Sequence, residues 1–231
     1  MKDENSIPLI RPESIAVEKG ETPARTIVAV VEDDDRFREA LVFQLTTASF
    51  EIESYPSAES FLESSDFKNY DCIVADIYLP RMNGLQLLAE VRQSAPCASV
   101  ILVTGYNDIS IGVQAMREGA VDCLQKPIDD LTLLQTVGRA ADLSRQKRAD
   151  NMHRAELKER EETLTPRERE VFALVTGGLL NKQVGAVLGA TERTIKTHRG
   201  RVMNKMNADS LADLVRMADR LRVPPISARS N

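Results

Sequence analysis

Cys72-Ile-Val-Ala-Asp-Ile-Tyr-Leu-Pro-Arg-Met-Asn-Gly84 is the segment that decides the fold, because it changes from a short apolar run to a turn at Asp76. A short apolar run bounded by turn residues is typical of a strand buried on both faces of a parallel sheet. Ligands of parallel α/β sheets bind outside the carboxyl ends of the strands. The segment therefore predicts a parallel sheet with an acidic group at its binding edge.

Four further strand-like runs surround this segment, and apolar residues at helical spacing lie between most of them. The runs are Thr26–Val31, Glu51–Tyr55, Ser99–Thr104 and Val121–Gln125. The helical segments fall near residues 37–45, 85–91, 111–116 and 131–137. Alternation of strands and helices predicts an α/β domain over residues 25–140, with a five-stranded parallel sheet covered on both faces.

The rest of the chain divides into segments of different composition. Residues 142–162 hold equal numbers of basic and acidic side chains and little apolar surface, which favours an exposed helix. Four helices are predicted after it, the first starting with the capping box Thr165-Pro-Arg-Glu168. The predicted segments are a disordered arm at 1–24, a helical linker at 141–162, an all-α domain at 163–223 and a tail at 224–231.

The formal net charge of −5 is distributed unevenly along the 231 residues. Residues 25–140 contain 9 lysines and arginines against 18 aspartates and glutamates, whereas residues 163–231 contain 12 against 6. An acidic first part and a basic last part predict two tasks, one involving a cation and one a polyanion.

Several classes of protein are disfavoured by composition. No apolar run approaches the roughly 20 residues of a membrane helix. The first residues lack the apolar core of a secretory signal, and the three cysteines have no paired spacing, which is typical of a reducing compartment. We therefore expect a cytoplasmic protein with no membrane partner.

Functional side chains follow the strands of the predicted sheet. Glu32 and Asp33 follow the first strand, Asp76 ends the third, Thr104 ends the fourth and Lys126 follows the fifth. Taken singly, each is more often an ordinary solvated loop residue. Taken together at one edge, clustered carboxylates predict a hard divalent cation such as Mg²⁺. A carboxylate beside that ion can act as a nucleophile toward phosphorus.

A second pattern lies in the basic part of the chain. Ile195, Val202 and Met206 share one side of a predicted helix, which begins after Thr191 and ends near Met206. The opposite side carries the stripe Arg193, Lys196, Thr197, Gly200 and Asn204. A short helix and a tight turn precede it, which predicts a helix-turn-helix whose second helix enters the major groove. On charge alone, a merely solvated face is equally compatible with the stripe.

The first domain resembles the receiver domain of two-component response regulators. The resemblance is carried by Val30–Asp35, Asp76–Gly84, Val103–Gly105 and Lys126-Pro127. It implies a flavodoxin-like order of strands, a fold for which a receiver is a known example. It also implies Asp76 as the phosphoacceptor, Mg²⁺ held by Glu32, Asp33 and Asp76, and Thr104 with Lys126 as the switch pair. Cys123 stands where receivers usually have an aromatic ring that moves on phosphorylation.

The second domain is similar to the LuxR-type DNA-binding domain through Leu164–Val171, Gly178–Lys182 and Glu192–His198. The whole chain thus resembles the NarL/FixJ subfamily, in its FixJ-like branch. The resemblance implies that Lys196, Thr197 and Gly200 face base edges. The full set expected to contact DNA is Lys182, Arg193, Thr194, Lys196, Thr197, Arg199, Gly200 and Lys205.

The function implied by both resemblances is a phosphorylation-controlled regulator of transcription, not an enzyme. The expected partners are a sensor histidine kinase, promoter DNA, a second copy of the chain and RNA polymerase, with activation favoured over repression. An aspartate-nucleophile phosphatase is a poor alternative, because such enzymes have a second acid where Tyr78 stands. A DNA-binding protein whose receiver is never phosphorylated is a third hypothesis, disfavoured by the complete pocket.

Overall fold

The computed structural model describes residues 26–48, 50–64, 67–105 and 109–224. The predicted arm at 1–24 and all but the first residue of the predicted tail at 224–231 lie outside the described residues. Within the described ranges, no helix is both long enough and apolar enough to cross a membrane.

Five parallel strands form the sheet of the first domain, as the sequence predicts. They are β1 Ile27–Val31, β2 Glu51–Tyr55, β3 Cys72–Asp76, β4 Ser99–Thr104 and β5 Asp122–Gln125. Their order in the sheet is β2-β1-β3-β4-β5, so the chain reverses its direction of winding after β2. This is the flavodoxin-like order, and the reversal places the carboxyl ends of β1 and β3 side by side as the expected ligand site.

Five helices cover the sheet: α1 Asp35–Thr47, α2 Ala58–Leu62, α3 Gly84–Ser94, α4 Ile109–Glu118 and α5 Asp130–Glu162. Helix α2 has no counterpart among the predicted helical segments. It has only five residues and begins at a capping box on Ser57, so it is too short to show an apolar period. Its buried residues, Ala58 and Phe61, hold it on the sheet.

Two apolar clusters lie on opposite faces of the sheet because side chains alternate along each strand. One contains Ile73 and Ala75 of β3 with residues of α2, α3 and α4. The other contains Cys72 and Val74 with residues of α1 and α5. All five residues of β3 are buried, as are all six of the neighbouring β4, so Asp76 is presented from the enclosed middle of the sheet.

Helix α5 is one continuous helix of 33 residues, so the predicted boundary between 140 and 141 falls inside it. Its middle part contacts the first domain through polar side chains: Ser144 Oγ donates to the Cys97 carbonyl at 2.7 Å, and Arg148 Nη1 donates to Asp71 Oδ1 at 2.6 Å. Its last part contacts the second domain, where Leu157 is fully buried. Residues 149–156 are all exposed, and within them Asn151 Nδ2 still donates to Cys97 Sγ at 3.1 Å. Residues 152–156 therefore separate the last of these contacts with the first domain from Leu157.

The second domain contains α6 Pro166–Thr176, α7 Asn181–Leu188, α8 Glu192–Met206 and α9 Leu211–Leu221. The predicted starts are confirmed, since Thr165, Thr191 and Ser210 each accept a backbone hydrogen bond as helix caps. A Cβ on Gly185 would lie 2.6 Å from the Ala190 carbonyl oxygen. Glycine there lets the turn fold tightly against α7, which sets the angle between the two helices of the helix-turn-helix.

Candidate functional site

The pocket lies at the carboxyl edge of the sheet, where β1, β3, β4 and β5 end side by side. Glu32, Asp76 and Thr104 are buried, with 1%, 7% and 5% of their surfaces exposed, whereas Asp33 is exposed. The backbone N–H of Lys126 donates to the Thr104 carbonyl at 2.8 Å. The structure thus brings together all five pocket residues predicted from the sequence.

Lys126 lies between the two buried carboxylates. Its Nζ donates to Asp76 Oδ2 at 2.6 Å and to Glu32 Oε2 at 2.8 Å. Burial disfavours the charged ammonium, but the hydrogen bonds to Asp76 and Glu32 outweigh it, so the pKa of Lys126 is above its ordinary value. The lysine therefore holds a fixed positive charge against Asp76.

Phe37 forms one wall around this ammonium, with its ring centroid 4.1 Å from Lys126 Nζ. At that distance the ring face attracts the cation. The apolar spacing of α1 predicts Phe37 only as a helical core residue, because period alone does not indicate a contact with a residue 89 positions away. The one signal in the sequence is an aromatic ring two residues after an acidic turn.

Glu32 is the most perturbed acid of the pocket. Burial raises the pKa of its carboxyl to about 7, and the negative charge of Asp76 adds to the rise, while the hydrogen bond from Lys126 opposes it. Two carboxylates this close repel each other, and a cation relieves that repulsion. The pocket is therefore built to receive positive charge.

The donor set fits a hard divalent ion. Glu32, Asp33 and Asp76 each place a carboxylate oxygen within 4.8 Å of the others. All three ligands are oxygens, the type that Mg²⁺ prefers, and the exposure of Asp33 leaves room for water or a phosphate oxygen on the open side.

The loop after β3 shapes the floor of the pocket through Gly84. A Cβ there would lie 2.4 Å from the Asp76 carbonyl oxygen, closer than real Cβ atoms approach. The same loop sends the Tyr78 backbone N–H to Asp76 Oδ1 at 2.9 Å. Gly84 thus allows α3 to start directly against β3. Its place at the end of the Asp76–Gly84 motif does not by itself reveal this positioning role.

Cys123 lies on β5, half-buried beside α4. Burial raises the pKa of its thiol, so the thiol is neutral and packs as a small apolar group. It fills less volume than the aromatic ring usual in the receiver domains that the first domain resembles, and a Cβ on Gly112 of α4 would lie 3.9 Å from its Sγ.

The stripe on α8 is exposed, as predicted from helical spacing. Ile195, Val202 and Met206 are fully buried, and the opposite residues Arg193, Lys196, Thr197, Gly200 and Asn204 are all exposed. Lys182 is exposed at the second position of α7. This geometry leaves a basic, polar helix face free for an anionic partner.

Three other residues expected to contact DNA also have contacts inside the domain. Thr194 joins its hydroxyl to that of Thr191 at 2.8 Å in the first turn of α8. Arg199 is half-buried and its Nη1 donates to Asn181 Oδ1 at 3.4 Å. Lys205 donates to Glu168 Oε2 at 2.7 Å and to the Thr163 carbonyl at 2.9 Å.

The contacts of Lys205 give it a role in the packing of the domain, beside the predicted role in DNA binding. Its ammonium points into the domain and neutralises Glu168, whose side chain is 3% exposed. Helical spacing identifies a basic residue near the end of α8, but it cannot reveal an acid on another helix. His198 is half-buried, and its Nδ1 has no hydrogen-bond partner among the described residues.

Comparison with known proteins identifies both domains. Residues 28–138 match the family described as the response regulator receiver domain, and residues 162–218 match the bacterial regulatory proteins of the luxR family. Nodulation protein W of Bradyrhizobium diazoefficiens is 41% identical over 203 residues, covering 88% of this chain and 89% of that protein. The transcriptional regulatory protein FixJ of Azorhizobium caulinodans is 38% identical, covering 88% and 96% respectively.

Solved structures agree with these relatives. The structure of the response regulator StyR superposes with a TM-score of 0.72 at 34% identity, covering 85% of this chain and all of that one. Full-length FixJ from B. japonicum gives a TM-score of 0.51 at 31% identity, covering 85% and 97%. The matches span both domains at once, and they show that this chain belongs to the two-component response regulators that join a receiver to a luxR-family DNA-binding domain.

Proposed function

We propose that this response regulator takes up its signal as a phosphoryl group on Asp76, delivered by a partner histidine kinase. The observation that carries the proposal is the position of the Asp76 carboxylate, at the end of a fully buried strand and 2.6 Å from Lys126 Nζ. The carboxylate attacks the phosphorus of a phosphohistidine. A P–O bond forms as the P–N bond breaks, and the histidine ring leaves as neutral imidazole after taking a proton from solvent.

Glu32, Asp33 and Asp76 would hold Mg²⁺ in this proposal, because their oxygens are the cluster that fits the ion. When bound, the ion neutralises charge on the phosphoryl oxygens. The chain's own groups do the remaining work. Lys126 and the Thr104 hydroxyl donate to the new phosphoryl oxygens, and the Tyr78 backbone N–H keeps the Asp76 carboxylate oriented.

The output of the proposal is DNA binding by paired chains. Thr104 and Lys126 move toward the phosphoryl group, and their movement alters the receiver face formed by α4, β5 and the start of α5. That face then favours a homodimer, which places two copies of α8 on promoter half-sites about one turn of DNA apart. In this role the chain is a cytoplasmic regulator of transcription, with activation through RNA polymerase favoured, and not an enzyme.

The first test is labelling with acetyl phosphate in Mg²⁺, followed by intact-mass measurement. Wild type is expected to gain one phosphoryl group and Asp76→Asn none. Asp35→Asn is the matched control, because Asp35 is an exposed acid at the start of α1, at the same edge of the sheet, and its carboxylate pairs with Arg38. Equal labelling of wild type and Asp76→Asn would reject Asp76 as the acceptor.

The aspartate-nucleophile phosphatase has no support from the pocket. Such an enzyme needs a second acid two residues after the nucleophile, and Tyr78 at that place is half-exposed and contributes a backbone N–H instead. Sustained release of inorganic phosphate from a phosphomonoester, lost in Asp76→Asn, would favour the enzyme.

A further inference from the structure

Gly200 lies in the middle of α8, at the centre of the exposed stripe. It is exposed, and a Cβ added to it would meet nothing within 4 Å. Its φ is not among the positive values found at Gly119, Gly178 and Gly189. Neither packing inside the protein nor backbone conformation therefore requires glycine at this position.

Glycine is nevertheless costly there. It is the worst helix former after proline, and an exposed position in a helix interior accepts almost any other residue. Gly84 and Gly185 show the usual reason for such a cost, since an added Cβ would meet backbone oxygen at 2.4 and 2.6 Å respectively. Gly138 of α5 also has nothing within 4 Å of an added Cβ, but it is half-buried, whereas Gly200 is exposed within the stripe of α8.

The surroundings of Gly200 indicate the kind of partner that this exposed position suits. Lys196 lies one turn before it and Asn204 one turn after it, both exposed on the same side, with Arg193 completing the line. The Lys196 ammonium and the Asn204 amide lie on either side of Gly200, which has no side chain. This arrangement suits a polyanion that also offers hydrogen-bond donors and acceptors. DNA is the occupant that combines the two, in accord with the luxR-family match over residues 162–218.

The fit between helix and groove makes one missing side chain important. A helix with its side chains is about 10–12 Å across, and the major groove is about 12 Å wide. The side chain at the centre of the stripe therefore limits how deeply α8 can enter the major groove. The side chains on either side of that position extend away from it.

We propose that Gly200 is the point of closest approach between α8 and the base edges, and that its lack of a side chain sets the depth at which Lys196 and Asn204 read the site. This inference rests on the proposed DNA binding of α8. It assigns Gly200 a positioning role that works by steric clearance, so any added side chain lifts the helix out of register with the bases.

The test uses the full chain and the duplex that wild type selects from a random-sequence duplex library. Gly200→Ala and Gly200→Val are compared with wild type for binding to that duplex and to an unrelated duplex of equal length, together with thermal unfolding. Gly200→Ala is expected to unfold at a higher temperature than wild type yet to bind the selected duplex at least tenfold more weakly. Gly200→Val is expected to bind it more weakly still, and both should lose less than threefold on the unrelated duplex.

Ala155→Val is the matched control, because it enlarges an exposed small residue on α5 away from the stripe, and its binding should equal that of wild type. If Gly200→Ala and Gly200→Val bind the selected duplex as tightly as wild type, the clearance role is overturned while DNA binding stands. If wild type itself selects no duplex, the proposed DNA binding fails and the inference fails with it.

Discussion

Glu168 joins two parts of the second domain through one carboxylate. Its Oε2 accepts from the Thr165 backbone at 2.9 Å and from Lys205 at 2.7 Å, so the start of α6 is tied to the end of α8. The hydrogen bond from Lys205, followed by that from Thr165, lowers the pKa of Glu168 to about 2. The ionisation of Glu168 is therefore coupled to the packing of α6 against α8.

The stability of this domain should depend on pH through Glu168. The folded pKa lies below the ordinary value of 4.5, so the contribution is complete above pH 4.5 and is lost as the pH falls toward 2. Glu168→Gln should be less stable at pH 7, by about 1–3 kcal/mol for a lost charged hydrogen bond. Thermal unfolding from pH 7 to pH 3 should show the wild-type advantage shrinking below pH 4.5; a constant difference between the two proteins would contradict this.

The two sides of helix α8 have different roles, so Lys196 and Lys205, only nine positions apart, should respond differently to substitution. Lys196→Ala should weaken binding to the selected duplex by about 1–3 kcal/mol and relax its specificity, as expected for loss of a base contact. A uniform loss on all sequences would make Lys196 a phosphate contact instead. Lys205→Ala should lower the unfolding temperature of the domain, because Glu168 loses its ion pair, and should leave sequence specificity unchanged.

Helix α5 is attached to the first domain beyond the last residue predicted for it. Arg148 donates to Asp71 Oδ1 at 2.6 Å and to the carbonyls of Asn69 and Tyr70 at 2.9 and 2.6 Å. The Asp71 side chain is 7% exposed, and its other oxygen accepts from the Ile27 backbone. Together with the hydrogen bonds from Ser144 and Asn151 to Cys97, these contacts make residues 144–151 part of the receiver's folded unit.

Removing that attachment should therefore destabilise the receiver. Arg148→Ala should cost about 1–3 kcal/mol, the range for charged hydrogen bonds, because Asp71 stays buried without its cation. Arg154→Ala is the control, since Arg154 is exposed on the undocked part of the same helix. Urea unfolding gives the free energies, and hydrogen exchange should show faster exchange at 144–151 in Arg148→Ala only. Equal behaviour of the two variants would mean that the attachment carries no stability.

At the scale of elements, local signals predict most of the observed structure. Thr165, Thr191 and Ser210 mark their helix starts because caps are made within four residues. Helix α2 was not predicted, because a helix of five residues is too short to show apolar residues at helical spacing. The helical linker is confirmed as part of α5. The docking of its Arg148 on the first domain and the inward turn of Lys205 could not be predicted, since each depends on a partner distant in the chain, Asp71 and Glu168 respectively. The pocket could be predicted because parallel strands bring their carboxyl ends to one edge.

Across the whole molecule, one phosphoryl group has to influence a helix in the other domain, so it can act only by shifting an equilibrium between two states. A full inversion of a two-state population needs about 5.5 kcal/mol of differential stabilisation. Cys123 supplies less bulk than the usual ring, so we expect a shallower response. With beryllofluoride as phosphoryl mimic, light scattering should show dimers and DNA titration tighter binding. Monomers with unchanged DNA affinity would overturn the coupling.

The single helix between the domains has a further consequence for how the chain tolerates changes of length. Residues 152–156 join two docked halves of α5 without a turn or loop. Each residue added to an α-helix lengthens it by 1.5 Å and rotates the second domain by about 100° about the helix axis. One extra residue in this span would swing α8 around that axis, whereas seven would bring it back to within about 20° of its original direction. The relative orientation of the two domains about this axis therefore depends on the number of residues in the stretch, and an insertion preserves it only when its length is close to a whole number of helical turns.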